Sequence, residues 1–327
     1  GFRSASGPDH ILFWDYTGDK IVPNIARSFE ILDGGKVTQI KLRKGHKWSD
    51  GEPFTADDVV FTAEMLMTND KLPGSGYIKN VIKTIRKLDD FTVEMETTKP
   101  YPRLSVALGS VVYGNLFRPV PRHIWKDVDP ATFSNYPPVG IGPYKFKRND
   151  PNGSWFLWEK RVDWKASDAG QLKGEPKPKY VLFRSYGPEE KRVLAMAQND
   201  YDVLTDITPE GLDILRKRNK NVAAWYDKFP WANMDDPCER GIHFNLQTAP
   251  YDKWQVRWAL ALATNIENVS MGTMSGMLRA SPIPPQMTGS GWKMSALRLS
   301  TKSRAAFRLI VISPPASAMS IDAFRRS

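Results

Sequence analysis

Cysteine is nearly absent: Cys238 is the only one in 327 residues. One thiol excludes an internal disulfide and a cysteine-based zinc site. It says little about compartment, because many proteins of oxidising compartments carry no disulfide. Histidine is almost as scarce. His10, His46, His123 and His243 are scattered, with no HExxH and no paired helical spacing, so each reads as surface or structural rather than as a metal ligand. No apolar run approaches the roughly eighteen residues of a membrane span. No basic-then-apolar leader follows Gly1, so a signal peptide is expected to have been removed or to lie outside this chain. A nucleophile with its base is missing too. Ser154 lacks a G-x-S-x-G context, and Gly140-Ile141-Gly142-Pro143 lacks the spacing of a dinucleotide fingerprint. Asp57/Asp58, Glu189/Glu190 and Asp235/Asp236 sit at helix starts or turns, where dipole and solvation account for them. The chain reads as a non-enzyme with no cofactor and no metal.

What is present is ordinary for a globular protein: 41% hydrophobic and 25% charged residues, at a length that can hold two domains. The net charge of +10 invites a nucleic-acid reading. Its distribution argues against one, because residues 281–327 hold seven Lys or Arg against Asp322 alone, and the other 280 residues carry only +4. No recognisable nucleic-acid motif accompanies it, so no nucleic-acid partner is expected.

Three local rules agree over residues 36–67. Val37, Ile40 and Leu42 form a short β-like run. Trp48-Ser49-Asp50-Gly51-Glu52-Pro53 is dense in turn formers. Thr55 stands as an N-cap with Asp58 three residues on, and Val59, Val60, Ala63, Leu66 and Met67 make one helical face from Ala56 to Met67. The unit is strand, tight turn, capped helix.

The wording LRKGHKWSDGEPFTADDVVFTAEML closely resembles the signature of the family 5 extracellular solute-binding proteins, of the form LRxGxxxxDGxPxTAxDVxF. Further matches are Val22-Pro23-Asn24 before the signature, PVPRHIW at 119–125, Pro137 to Tyr144, Arg161-Val162-Asp163-Trp164, Asp200 to Val203, Phe244 to Leu246, and the Val256/Arg257/Ala259/Leu260/Ala263 pattern. The resemblance implies periplasmic receptors of ABC importers with an α/β clamshell fold of the periplasmic binding protein type II-like kind. It implies capture of a peptide-like solute, membrane permease subunits as partners, and a monomer. An oligosaccharide receptor of the same family is the alternative, mildly favoured by eleven Trp. A hydrolase, from a different class, is disfavoured by the missing constellation.

The resemblance covers residues 10 to about 285 and divides the chain. Residues 1–145 are expected to be an inserted subdomain of the first lobe, carrying the signature, and 146–240 its α/β core. Residues 241–285 start a second lobe that is mostly missing, and 286–327 are an aberrant or disordered tail, whose Ser-, Arg- and Ala-rich text suggests a shifted frame or truncation. Within this scheme Val81–Lys87 and Phe91–Thr97 form a hairpin with Val93 buried and Glu94 exposed. Tyr144–Phe146 pairs with Trp155–Lys160. Residues 180–227 alternate strand and helix, with strands at Tyr180–Arg184, Tyr201–Asp206 and Val222–Tyr226, and so suggest some parallel sheet. A strand at Gly241–Leu246 and a helix at Tyr251–Asn265 follow.

Aromatic side chains suit both cores and the faces of sugars or peptide side chains. In peptide-binding relatives an aromatic after the signature helix faces the ligand, and Tyr77 follows the loop Pro73 to Gly76 that succeeds this one. Trp225, Tyr226, Phe229 and Trp231 precede the crossing between lobes, and Asn245 lies in the family's strand element. These six are the candidate ligand contacts. Trp155 and Trp158 read as core.

Overall fold

A computed structural model describes residues 10–15, 20–102, 104–109, 117–200, 202–204, 207–224, 226–228, 244–276 and 320–322. Two compact units emerge: Gly1–Ser185 with Ile321–Ser327, and Tyr186–Ser320.

The first unit begins with an antiparallel pair, β1 (Leu12–Asp15) and β2 (Lys20–Pro23). Next come β3 (Ala26–Leu32) and β4 (Val37–Leu42), then helices α1 (Ala56–Thr68) and α2 (Ser75–Val81), then β5 (Ile82–Asp89) and β6 (Thr92–Thr97). The four strands form one antiparallel sheet in the order β3-β4-β6-β5. Alternation decides which face is covered. Thr38, Ile40 and Leu42 of β4 and Val93, Met95 and Thr97 of β6 are buried, and Ile40 stands opposite Val93 in the register. Across that face α1 lays Val59, Ala63 and Leu66, all buried, while Val60 and Met67 of the expected stripe are half-buried. The hairpin forms as the alternation predicts, with Val93 fully buried. Glu94 is a correction. Expected to be exposed, it is half-buried, because Gln39 and Arg86 on the flanking strands close over it with hydrogen bonds of 2.8 Å each.

Two short helices follow, α3 (Leu104–Gly109) and the single turn α4 (Arg122–Trp125). A second antiparallel sheet contains β7 (Tyr144–Asn149), β8 (Trp155–Lys160) and, after helix α5 (Asp168–Lys173), β9 (Tyr180–Arg184). Tyr144, Trp158 and Phe183 form its core, with Phe146 edge-on to Trp158 at 5.7 Å. Trp158 is buried as expected of a core residue, while Trp155 is half-exposed.

The second unit contains α6 (Glu189–Ala197), α7 (Pro209–Arg218), α8 (Trp254–Ala263) and α9 (Ile266–Met274). Helix α7 starts as its residues dictate: the Thr208 hydroxyl accepts the Gly211 amide at 3.1 Å and Pro209 takes the first helical position. The registers that join β1 to β2, β3 to β6 and β7 to β9 are all antiparallel. Of the expected strands Tyr201–Asp206 and Val222–Tyr226, residues 201, 205, 206 and 225 lie outside the described ones; Val203 holds a one-residue bridge and Val222–Ala224 are irregular. At the end of α7 the Asn219 side chain donates to Asn199 and accepts the Asn221 amide at 3.0 Å, an Asx turn immediately before Val222. Of the strand expected at Gly241–Leu246 the described residues 244–246 form none, since Asn245 accepts the Gln247 amide at 3.0 Å in a second Asx turn. Residues 241–243 lie outside the described ones. The helix expected over Tyr251–Asn265 is shorter, because Asn265 caps α9 through the Asn268 amide instead of ending α8. The tail from Gly291 is outside the described residues except for Ser320–Asp322, a short strand beside β9.

The start of α1 carries a direct test. Thr55 accepts the Asp57 amide at 3.3 Å, and Asp58 accepts the Thr55 amide at 2.9 Å. Thr55→Ala is expected to cost about 1 kcal/mol in equilibrium denaturation. An unchanged midpoint would mean that the cap does not hold the helix.

Candidate functional site

The signature segment is the most densely tied part of the chain. Gly45 and Gly51 take positive φ, +84° and +102°, and so allow two tight turns around Lys47–Pro53. Between those turns the Trp48 amide donates to the Glu52 carbonyl at 2.8 Å and the Gly51 amide to the Trp48 carbonyl at 3.0 Å. Trp48 and Phe54, both fully buried, meet at 5.4 Å. Asp50 steadies the turn by accepting the Glu52 amide and reaches His123 Nε2 at 2.7 Å.

Asp58 does more than cap. It is buried, and while one oxygen takes the Thr55 amide the other takes the Arg122 amide at 2.9 Å. One turn on, Thr62 accepts the Val120 amide at 2.9 Å. The PVPRHIW segment therefore hangs on α1 by two of its amides. Burial pushes the Asp58 carboxyl above its ordinary value, opposed by the Thr55 and Arg122 amides.

On the opposite side the turn meets the second sheet. Ser49 and Gly140 exchange hydrogen bonds, at 2.9 Å to the Gly140 carbonyl and 3.3 Å to the Ser49 hydroxyl. Below them lies Arg161, 1% exposed. Its Nη1 donates to the carbonyls of Lys47 and Gly142, both at 3.1 Å. Nη2 donates to Trp48 O at 3.0 Å and to Asp163 at 2.7 Å, and Nε donates to Asp163 at 3.0 Å. All five guanidinium donors are used. Nearby, Asp168 is fully buried at the N-terminus of α5, where it takes the Ala169 amide. Burial pushes its carboxyl up to about 6, against the pull of that amide, Asn24 and Arg161. His46 is buried beside them, with Nδ1 3.4 Å from the Ala166 carbonyl. Burial lowers its imidazole to about 4. This cluster positions backbone. Among the described residues no group of three His, Cys, Asp or Glu could hold a metal ion.

A family model for "bacterial extracellular solute-binding proteins, family 5 middle" matches residues 20–296. The chain belongs to this family. It is 26% identical to the dipeptide-binding protein of Escherichia coli (strain K12) over 292 residues, 83% of this chain and 51% of that protein. Against the di/tripeptide-binding protein 1 of Pseudomonas aeruginosa (strain UCBPP-PA14) it is 25% identical, over 82% of this chain and 50% of that one. Among solved structures, a periplasmic oligopeptide-binding protein of Thermotoga maritima with mannohexaose bound superimposes with a TM-score of 0.70 at 25% identity, covering 84% of this chain and 48% of that one. The chain thus spans about half the length of the relatives it matches. The fold is the mixed α/β one of these periplasmic binding proteins, and no described helix is long and apolar enough to cross a membrane.

With the family fixed, the candidate ligand residues can be placed. Tyr77 lies in the first turn of α2, since Ser75 and Gly76, expected in the loop, already belong to the helix. It is half-buried against the main core, and its hydroxyl meets that of Tyr101 at 2.9 Å. Burial and that contact raise its phenol above the ordinary value. Tyr226, 48% exposed, and Asn245, exposed in its Asx turn, belong to the second unit. Trp225, Phe229 and Trp231 lie outside the described residues. Sequence reasoning missed the Trp residues of α8. Trp254 is 59% exposed, Trp258 is exposed as well, and this apolar helix buries none of its residues. Their spacing of four was a usable signal for one shared face.

The Arg161 cluster yields two predictions. Arg161→Met is expected to cost about 3 kcal/mol, because three inward carbonyls lose their donors. Asp163→Asn should cost less, about 2 kcal/mol, because Asn keeps one acceptor for the guanidinium while removing the countercharge of a buried cation. Equal losses in urea denaturation would refute that division. Asp168 has its own pH signature. A carboxyl that holds its proton more tightly folded than unfolded favours the fold below its unfolded value of 3.8, and the advantage is lost as pH rises through about 6. Relative to wild type, Asp168→Asn should therefore gain about 3 kcal/mol between about pH 4 and about pH 7. Parallel stability curves would show that the carboxyl is not held protonated.

Proposed function

We propose that this chain is part of the substrate-binding component of an ABC importer, a binding protein rather than an enzyme, and that it captures a peptide-like solute in the periplasm. The single observation that carries the reading is the family match over residues 20–296, with similarity to a dipeptide-binding protein across 83% of the chain. Its partners are the solute and the importer's permease subunits, and it acts as a monomer. Tyr77 and Tyr226 are the candidate contacts that the described residues retain, together with Asn245. Residues 1–145 and 146–240 belong to one lobe and 241–285 open a second, while of 286–327 the residues Ser320–Asp322 lie beside β9. An oligosaccharide is the second reading, favoured by the mannohexaose held by the Thermotoga maritima relative.

A clamshell receptor divides its ligand contacts between two lobes that close by hinge motion. Because this chain spans about half the length of its relatives, it is expected to bind peptides weakly by itself. A chimera that continues after residue 285 with the remainder of the Escherichia coli dipeptide-binding protein is expected to bind dipeptides at least about a hundredfold more tightly. Calorimetry against dipeptide and oligosaccharide mixtures checks both readings. Tight one-to-one binding by the 327-residue chain alone would overturn the division of the site between lobes. Tight binding of the oligosaccharides alone would transfer the assignment to the second reading.

A further inference from the structure

The register of β7, β8 and β9 sorts their side chains onto two faces. One face carries Tyr144, Phe146, Phe156, Trp158, Val181 and Phe183 and is the small core. The other is built differently. Lys145 lies opposite Glu159 and Glu159 opposite Tyr180, while Arg148 lies opposite Leu157 and Leu157 opposite Leu182. Trp155 belongs to the same row as Leu157 and Glu159. The irregularity between Phe146 and Arg148 lets Lys147 reach this face too, where it bonds Glu159 at 3.0 Å and Tyr180 Oη at 3.2 Å. The face's one acid is thereby already matched, and Lys145 and Arg148 stand exposed beyond it.

Rings and cations alternate across this surface. Lys147 lies 4.6 Å and Lys179 5.2 Å from the centre of the Tyr180 ring, and Arg148 lies 5.7 Å from that of Trp155. Trp155, Leu157, Tyr180 and Leu182 are all half-buried, so a strip of apolar surface stays open between the cations. On this face Lys145, Lys147 and Arg148, with Lys179 beside Tyr180, stand against Glu159. A sheet face that sets Trp, Tyr and Leu among long basic side chains matches the chemistry of a headgroup layer. Amphipathic rings rest at that level, basic stems extend along apolar surface, and the charges meet phosphates. An acidic protein surface would match the charge but leave the strip of Leu157, Leu182 and Trp155 without a purpose.

We propose that the outer face of the β7-β8-β9 sheet is a docking surface for anionic phospholipid headgroups, which holds the protein against a membrane without insertion of a helix. The test is co-sedimentation of the full chain with vesicles of phosphatidylglycerol and phosphatidylcholine in equal parts, against vesicles of phosphatidylcholine alone. Binding is expected to the anionic vesicles only and to disappear at about 0.5 M salt. Each cation removed should weaken it about fivefold, so Lys145→Gln, Arg148→Gln and Lys179→Gln together should weaken it about a hundredfold. These side chains are exposed, and unchanged circular dichroism would verify the fold. Lys71→Gln, Lys191→Gln and Lys220→Gln, which remove equal charge elsewhere, should leave binding unchanged. Trp155→Ser should weaken it severalfold beyond any electrostatic loss. An equal loss from the two triple variants would overturn the proposal, since net charge alone would then account for binding. Displacement by polyglutamate together with an unaffected Trp155→Ser would overturn it in favour of an acidic protein partner.

Discussion

The guanidinium of Arg161 joins three pieces of chain that are distant in sequence: the signature turn at Lys47-Trp48, the glycine-rich approach to β7 at Gly142, and its own strand end with Asp163. A buried cation is costly unless all of its donors are met, and here all five are. Three of the acceptors are main-chain carbonyls, so the contact depends on backbone path rather than on side-chain identity. The turn that carries Trp48 against Phe54 is thereby tied to the approach to β7.

The same economy appears at Asp58 and Thr62. Each belongs to α1 by its backbone and serves the segment 120–122 by its side chain. The signature that identifies the family is thus a device for holding loops to a sheet and a helix. Its residues are diagnostic because many contacts converge on them. The residues that carry the family resemblance and the candidate ligand residues are different sets. In this chain the aromatic candidates lie at the edge of the core, as Tyr77 does, or on exposed segments of the second unit, as Tyr226 does.

Buried ionisable groups gather where the signature meets the second sheet. His46, Asp168 and Arg161 share that junction, and burial disfavours the charged forms of His46 and Asp168 while Arg161 stays paired. Apolar packing would join the two sheets with less electrostatic cost. A polar junction accepts fewer alternative registers, because a slip of one residue would strand several donors and acceptors at once.

Where the deciding interactions are local, the sequence was sufficient by itself. The cap of α1 needs only Thr55 and Asp58, the turn only Asp50-Gly51, and the β5–β6 hairpin only its alternation and a short connection, so each was legible as written. The family could be read for the same reason, since its signature is a run of such local rules. Tertiary structure decided whatever depended on partners from elsewhere in the chain. Nothing next to Arg161 reveals that three carbonyls from two other segments will surround it. Nothing next to Glu94 reveals that Gln39 and Arg86 will cover it. The segment Val222–Ala224 was decided in the same way. A short apolar run becomes a strand only when a neighbouring strand completes its hydrogen bonds, and the Val222 amide turns back to the Asn219 carbonyl at 3.3 Å instead.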